Sequence, residues 1–177
     1  MDYAKKAVKR TFIVFTISIF AALLGYLIRI NLARNLTPSE YGLFFSVFTL
    51  INIISLFKYL GLGSALIKYV PEFQIKKKFQ LIAESISLVF SFSFISSLIL
   101  ALLVFITSDI LAKHYFKNTL AAPVLIFFSL IIIFSTFKQL LRNLFNAFQS
   151  MFNFSLMYLC ENFLVLLFLP LLFSFNL

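Results

Sequence analysis

Five long apolar runs separated by short basic gaps limit what this chain can fold into more than any other feature of its sequence. Between Thr11 and Ala33 the only charged residue is Arg29, and between Gly42 and Leu66 it is Lys58. The run from Gln80 to Ile106 carries Glu84, that from Leu120 to Phe137 carries none, and that from Phe152 to Phe175 carries Glu161. Each is close to or beyond the ~20 residues that cross a ~30 Å hydrocarbon core. In hydrocarbon the backbone must satisfy its own N–H and C=O groups, so these runs are expected to be helices. The expected fold is all-α: a polytopic transmembrane helix bundle of about five helices, forming one membrane domain over 1–177. The expected spans lie near 11–33, 42–66, 80–106, 120–137 and 152–175.

Composition excludes a soluble domain. Hydrophobic residues make up 62% of the chain and charged residues 12%, against roughly 45–50% and about 25% in soluble proteins. A net charge of +9 on a soluble domain would point to nucleic acid. Here the lysines and arginines fall in the gaps between spans, so no nucleic-acid partner is expected and membrane lipids are. The single Cys160 and single His114 leave no disulfide framework and no zinc ligand set. No cofactor is expected. Nor is an enzyme: the chain has no GxSxG, no HExxH and no aspartate pair inside a span. Asp109 and His114 stand in an outer segment without a third partner. The first apolar run is too long for a signal-peptide core and no A-x-A site follows it, so a retained helix is expected.

Loop charge sets the orientation. With the N-terminus in the cytoplasm, the inner segments hold Lys5, Lys6, Lys9, Arg10, Lys68, Lys76, Lys77, Lys78, Lys138 and Arg142. The outer segments hold only Arg34, Lys113 and Lys117. The expected location is the cytoplasmic membrane, multi-pass, with the N-terminus inside. Leu177 follows an apolar run without a charged tail, which predicts the N-terminal part of a longer chain.

Four spans carry a polar stripe at helical spacing: Thr11, Ser18, Ala22, Gly25 and Arg29; Thr49, Asn52, Ser55 and Tyr59, with Lys58 at the edge; Glu84, Ser87 and Ser91; Ser155, Tyr158, Glu161 and Asn162. The span over 120–137 hardly has one and is expected to face lipid. The stripes are either close-packing seams or the walls of a polar cleft. Charges at such depth are costly and mark paired or functional positions. Arg29 either points inward or snorkels to the outer interface, Lys58 either lines the cleft or neutralises Glu161, and Glu84 is expected at the inner interface. The substrate-binding candidates are Arg29, Lys58, Asn52 and Glu161.

Thr37-Pro38-Ser39-Glu40 reads as a capping box with proline at the first helical position. Thr37 and Glu40 are thus structural caps. Leu60-Gly61-Leu62-Gly63-Ser64 marks a close-packing or flexible point near the inner end of span two, and Pro71 is expected to end that helix.

The stretch Ala33-Arg34-Asn35-Leu36-Thr37-Pro38-Ser39-Glu40-Tyr41-Gly42, followed by Leu60-Gly61-Leu62-Gly63-Ser64-Ala65-Leu66-Ile67-Lys68-Tyr69, resembles the start of the polysaccharide biosynthesis proteins. These are lipid-linked oligosaccharide flippases of the multidrug/oligosaccharidyl-lipid/polysaccharide exporter superfamily. Arg142…Asn146-Ala147-Phe148-Gln149 is similar too. The resemblance implies the partial N-terminal lobe of a two-lobed transporter that moves polyprenyl- or dolichyl-pyrophosphate-linked glycans by alternating access. It also implies a lipid-linked glycan as substrate and the missing C-terminal part of the transporter as partner. Two alternatives stay open: a drug or small-molecule exporter of the same superfamily, and a small non-transporting membrane assembly subunit.

The charge asymmetry generates a topology prediction. Reporter fusions after Lys78 and Phe148 should read cytoplasmic, and fusions after Pro38 and Lys117 external. A cytoplasmic reading at Lys117 would break the five-span order.

Overall fold

A computed structural model describes residues 2–58 and 61–174 of the chain, and every described element is helical. Tyr59, Leu60 and Phe175, placed above in the second stripe, the glycine motif and the end of span five, lie outside the described residues. The helices are α1 (Asp2–Asn35), α2 (Pro38–Ser55), α3 (Leu62–Ile75), α4 (Phe79–Ile110), α5 (Ala121–Ala147) and α6 (Met151–Ser174). A 3₁₀ turn, Leu56–Lys58, extends α2, and a π-helical turn, Leu111–Tyr115, extends α4. Among the described residues, five helices are long and apolar enough to cross a membrane: Thr11–Asn35, Pro38–Lys58, Phe79–Tyr115, Ala121–Ala147 and Met151–Leu169. An all-helical bundle of five spans is therefore the architecture.

Several boundaries differ from those expected, for identifiable reasons. The run over 42–66 is two helices. The first ends by Lys58, and the second starts after Gly61, whose φ of 82° is left-handed and open to glycine without strain. Pro71 does not end α3 but lies inside it. A proline there costs the helix about 3 kcal/mol, which the burial of Leu66 and Val70 in one cluster, with Phe73 packed against it, offsets. The third span continues through Ile110 into the π-helical turn, so Asp109 and His114 sit on helix rather than loop, both exposed. The fourth helix runs on to Ala147, which turns Lys138 and Arg142 from loop residues into helical ones.

The chain divides into two compact units. One joins residues 1–41 and 149–177, with α1 and α6 in extensive contact; the other is 42–148. In the first, Gly25 meets Asn162: a β-carbon at Gly25 would stand 3.6 Å from Asn162 Oδ1. Two of the expected stripes thus touch there.

In the second unit α4 packs closely on α5. The buried face of α4 is Ile82, Val89, Ser93, Ser97, Ala101, Val104 and Ser108, a seven-residue-like repeat rich in small side chains. Glu84, Ser87 and Ser91, the stripe expected to face inward, are exposed. Three of the buried hydroxyls can lie in an apolar seam because their own helices bond them: Ser97 Oγ donates to Phe94 O at 2.8 Å, Ser108 Oγ to Phe105 O at 2.7 Å and Ser129 Oγ to Ile126 O at 2.6 Å, whereas Ser93 Oγ is buried without a bond. The expectation that the fourth span faces lipid is also overturned. A third (33%) of its apolar stretch is buried, against 28% for α4 and 11% for α2. Helix α2 meets α5 through large side chains, with the rings of Phe44 and Phe48 centred 5.5 and 6.1 Å from that of Phe128.

The reciprocal bonds of a capping box are present at the start of α2. Thr37 N donates to Glu40 Oε2 at 2.9 Å, and Glu40 N to Thr37 Oγ1 at 3.4 Å. At the end of α3, Lys78 N donates to Phe73 O (2.9 Å) and Lys77 N to Gln74 O (3.1 Å). This is the Schellman closure, with Lys77 at φ 55° in the position usually held by glycine. A lysine there carries about 1–2 kcal/mol of left-handed strain. Lys77→Gly should accordingly raise the unfolding midpoint of the purified chain in detergent, by roughly 0.5–1 kcal/mol of stability. An unchanged or lower midpoint would show that Lys77 is not held in that conformation.

Candidate functional site

A charge buried at the end of an apolar span is tolerated only with partners, and Lys58 has them on a helix distant in sequence. It is 3% exposed. Its Nζ donates to Ser135 Oγ at 2.7 Å and to the Ile132 carbonyl at 3.4 Å. Ser135 Oγ in turn donates to that carbonyl at 2.8 Å, as does Thr136 Oγ1 at 2.9 Å. The carbonyl is thus a focus for three donors, and Ser135 relays between ammonium and backbone, an arrangement in which each bond polarises the next.

Lys58 stands on the wall of a cavity of about 510 Å³. Helix α2 and its 3₁₀ turn contribute Asn52, Ser55, Leu56 and Lys58; α3 and its cap contribute Gly61, Gly63, Ser64 and Ile67. Helix α5 contributes Ser135, Lys138, Gln139, Arg142 and Asn143. The α5 residues recur every three or four positions, which places them on one face. Gly63 lets α3 and α5 approach here: a β-carbon at that position would lie 2.2 Å from Asn143 Nδ2 and 3.2 Å from its Cγ. Asn143 Oδ1 accepts from Gln139 Nε2 at 3.2 Å, which orients the amide along the wall.

The electrostatics of the cavity have one sign. Lys58, Lys138 and Arg142 line it, and the described lining residues include no carboxylate. Lys138 is near enough to Lys58 for the two charges to repel. A low-dielectric concavity with only positive charge concentrates anions. The guanidinium offers a planar fork to phosphate or carboxylate oxygens and the ammonium groups act as point charges.

Of the four candidates read from the sequence, Asn52 and Lys58 share this cavity. Arg29, exposed on α1, and Glu161, half-buried on α6, belong to the other unit. The sequence reading missed Ser135, Lys138, Gln139, Arg142 and Asn143 as a group. It stopped the fourth helix at 137 and counted Lys138 and Arg142 only as loop charge. Their i, i+3, i+4 spacing was the signal that an extended helix would have exposed. No group of three or more His, Cys, Asp or Glu that could hold a metal ion occurs among the described residues.

The family of polysaccharide biosynthesis proteins matches this chain over residues 7–176. The chain belongs to that family. It is also 30% identical over 118 residues to an uncharacterized membrane protein of Methanocaldococcus jannaschii, a match that takes in 67% of this chain and 23% of that relative. The chain therefore spans about a quarter of the length of the curated relative it matches. No solved structure matches it. The cavity lies beside the break between α2 and α3 at Gly61.

The close approach at Gly63 predicts a coupled pair. Gly63→Ala should destabilise the purified chain by about 1–3 kcal/mol through overpacking. Adding Asn143→Ala should recover most of that loss. Strict additivity in thermal unfolding of the two single variants and the double variant would mean that Asn143 is not the obstacle.

Proposed function

We propose that this chain is the N-terminal part of a transporter that moves polyprenyl- or dolichyl-pyrophosphate-linked oligosaccharides across the cytoplasmic membrane by alternating access. The observation that carries this reading is the cavity lined by Lys58, Lys138 and Arg142 without a described carboxylate. A pyrophosphate drawn to bilayer depth loses its hydration, and fixed positive groups offset part of that loss. The volume of about 510 Å³ falls in the range that small-molecule sites occupy. Asn52, Gln139, Asn143 and Ser64 add amide and hydroxyl groups suited to phosphate oxygens or the first sugar's hydroxyls.

The family membership supports transport over an assembly role, and the sign of the cavity speaks against export of organic cations. Loop charge supports a cytoplasmic N-terminus and an inner placement of the cavity. Arg29 and Glu161 are proposed as further polar contacts in the completed transporter, which requires the remaining spans as its partner.

The test is binding by the chain in nanodiscs of farnesyl diphosphate compared with farnesol. The diphosphate should bind tighter, and Lys58→Met with Arg142→Gln should weaken it roughly 10–100-fold per charged hydrogen bond lost. Farnesol affinity should stay unchanged. Equal affinity of the wild-type chain for the two ligands would overturn the reading.

A further inference from the structure

Helix α3 has two faces with different chemistry. Gly63, Leu66 and Val70 are buried, the latter two in one cluster with α4 and α5 residues, while Lys68, Gln74, Ile75 and Lys76 lie on the exposed side. Lys77 and Lys78 follow in the turn, and Phe79 opens α4. Four lysines (Lys68, Lys76, Lys77, Lys78) against one glutamate (Glu72) leave this short surface with a net charge of three. Glu72 accepts a hydrogen bond from Lys76. That bond, and then the charge of Lys76, hold its carboxyl below the usual range, with smaller contributions from the charges of Lys68 and Lys78. Amid these charges stand exposed apolar side chains: Ile75 is 84% exposed and Phe79 66%. Lys68 Nζ lies 5.3 Å from the centre of the Tyr69 ring, which stacks on Phe73. Apart from Gly63, none of these residues lines the cavity.

Lys77 closes the helix in a left-handed conformation. Its φ of 55° suits glycine better than any side chain. The ammonium group of Lys77 is exposed at the end of α3. The α3 segment also joins the ends of two spans, Pro38–Lys58 and Phe79–Tyr115, which puts it at the level where hydrocarbon gives way to headgroups.

We infer that the outer face of α3, with Lys68, Lys76, Lys77 and Lys78 around Ile75 and Phe79, is a docking surface for the anionic phospholipid headgroups of the bilayer. The lysines meet the headgroup phosphates, and Ile75 and Phe79 enter the acyl boundary between them. The packed inner face ties this contact to α4 and α5, and through Gly63 and Asn143 to the wall of the cavity. Lipid binding at α3 thus holds one side of that wall at the membrane surface. The inference is independent of what the cavity itself binds.

The experiment uses the full chain with Cys160→Ser and Ile75→Cys, labelled with bimane at position 75, in nanodiscs of phosphatidylcholine with 30 mol% phosphatidylglycerol as a chosen composition of roughly physiological anionic content. One of the two lipids is brominated in each sample, and quenching per mole of brominated lipid is compared. Each lysine near the surface favours anionic lipid by roughly fivefold, so brominated phosphatidylglycerol should quench at least about twice as strongly as brominated phosphatidylcholine. The excess should vanish in high salt and in the Lys76→Gln, Lys77→Gln, Lys78→Gln variant. Lys77→Gly separates the two roles of that residue, lowering the excess while raising thermal stability. Equal quenching by both lipids, or none by either, would overturn the inference. So would loss of the excess on adding inorganic phosphate at an ionic strength matched with chloride, which would mark a small-anion site.

Discussion

Where a span ends, backbone that leaves the helical path must find hydrogen-bond partners in protein or in a polar space, because lipid supplies none. The second span leaves that path. Helix α2 tightens into a 3₁₀ turn at Leu56–Lys58, and α3 starts only after Gly61. Residues on both sides of this interruption line one polar cavity, so the break and the cavity explain each other. The same interruption places Lys58 where its ammonium reaches Ser135 and the Ile132 carbonyl. Straightening α2 into α3 would remove the turn that sets Lys58 against α5.

Packing in the second unit follows the absence of a hydrophobic drive between helices in lipid. Where the solvent is as apolar as leucine, close contact and satisfied polar atoms hold helices together. The α4–α5 seam uses Ser93, Ser97, Ala101 and Ser108, and local bonds to preceding carbonyls keep two of these hydroxyls from needing a partner across the seam. The α2–α5 contact is built from Phe44, Phe48 and Phe128 instead. Rings hold the backbones further apart than serines do. A tight pair beside a looser third helix leaves room for a cavity on the looser side.

The site itself joins residues far apart in sequence. Lys58 and Ser135 are 77 positions apart, and neither finds its partner without the other helix. Lys138 and Arg142 supply the further charge from the end of α5.

What the sequence determined by itself is what local chemistry encodes. Run length and apolarity gave five spans. Thr37 through Glu40 spelled a capping box whose bonds form within three residues. Gly61 and Gly63 marked the point where the second span is interrupted and closely approached. The family was legible over the residues around those motifs. Tertiary structure alone decided which faces are buried. Glu84, Ser87 and Ser91 look like an inward stripe, yet Ser93, Ser97 and Ser108 take that place. The fourth span looked bare of polar groups until it ran on to Ala147 and turned Lys138, Gln139, Arg142 and Asn143 toward α2 and α3. The reason is the solvent. In water an apolar stripe identifies the core, but in lipid both the outside and the seam between helices are apolar, so periodicity no longer says which way a helix faces. Only contact with the neighbouring helices breaks that symmetry.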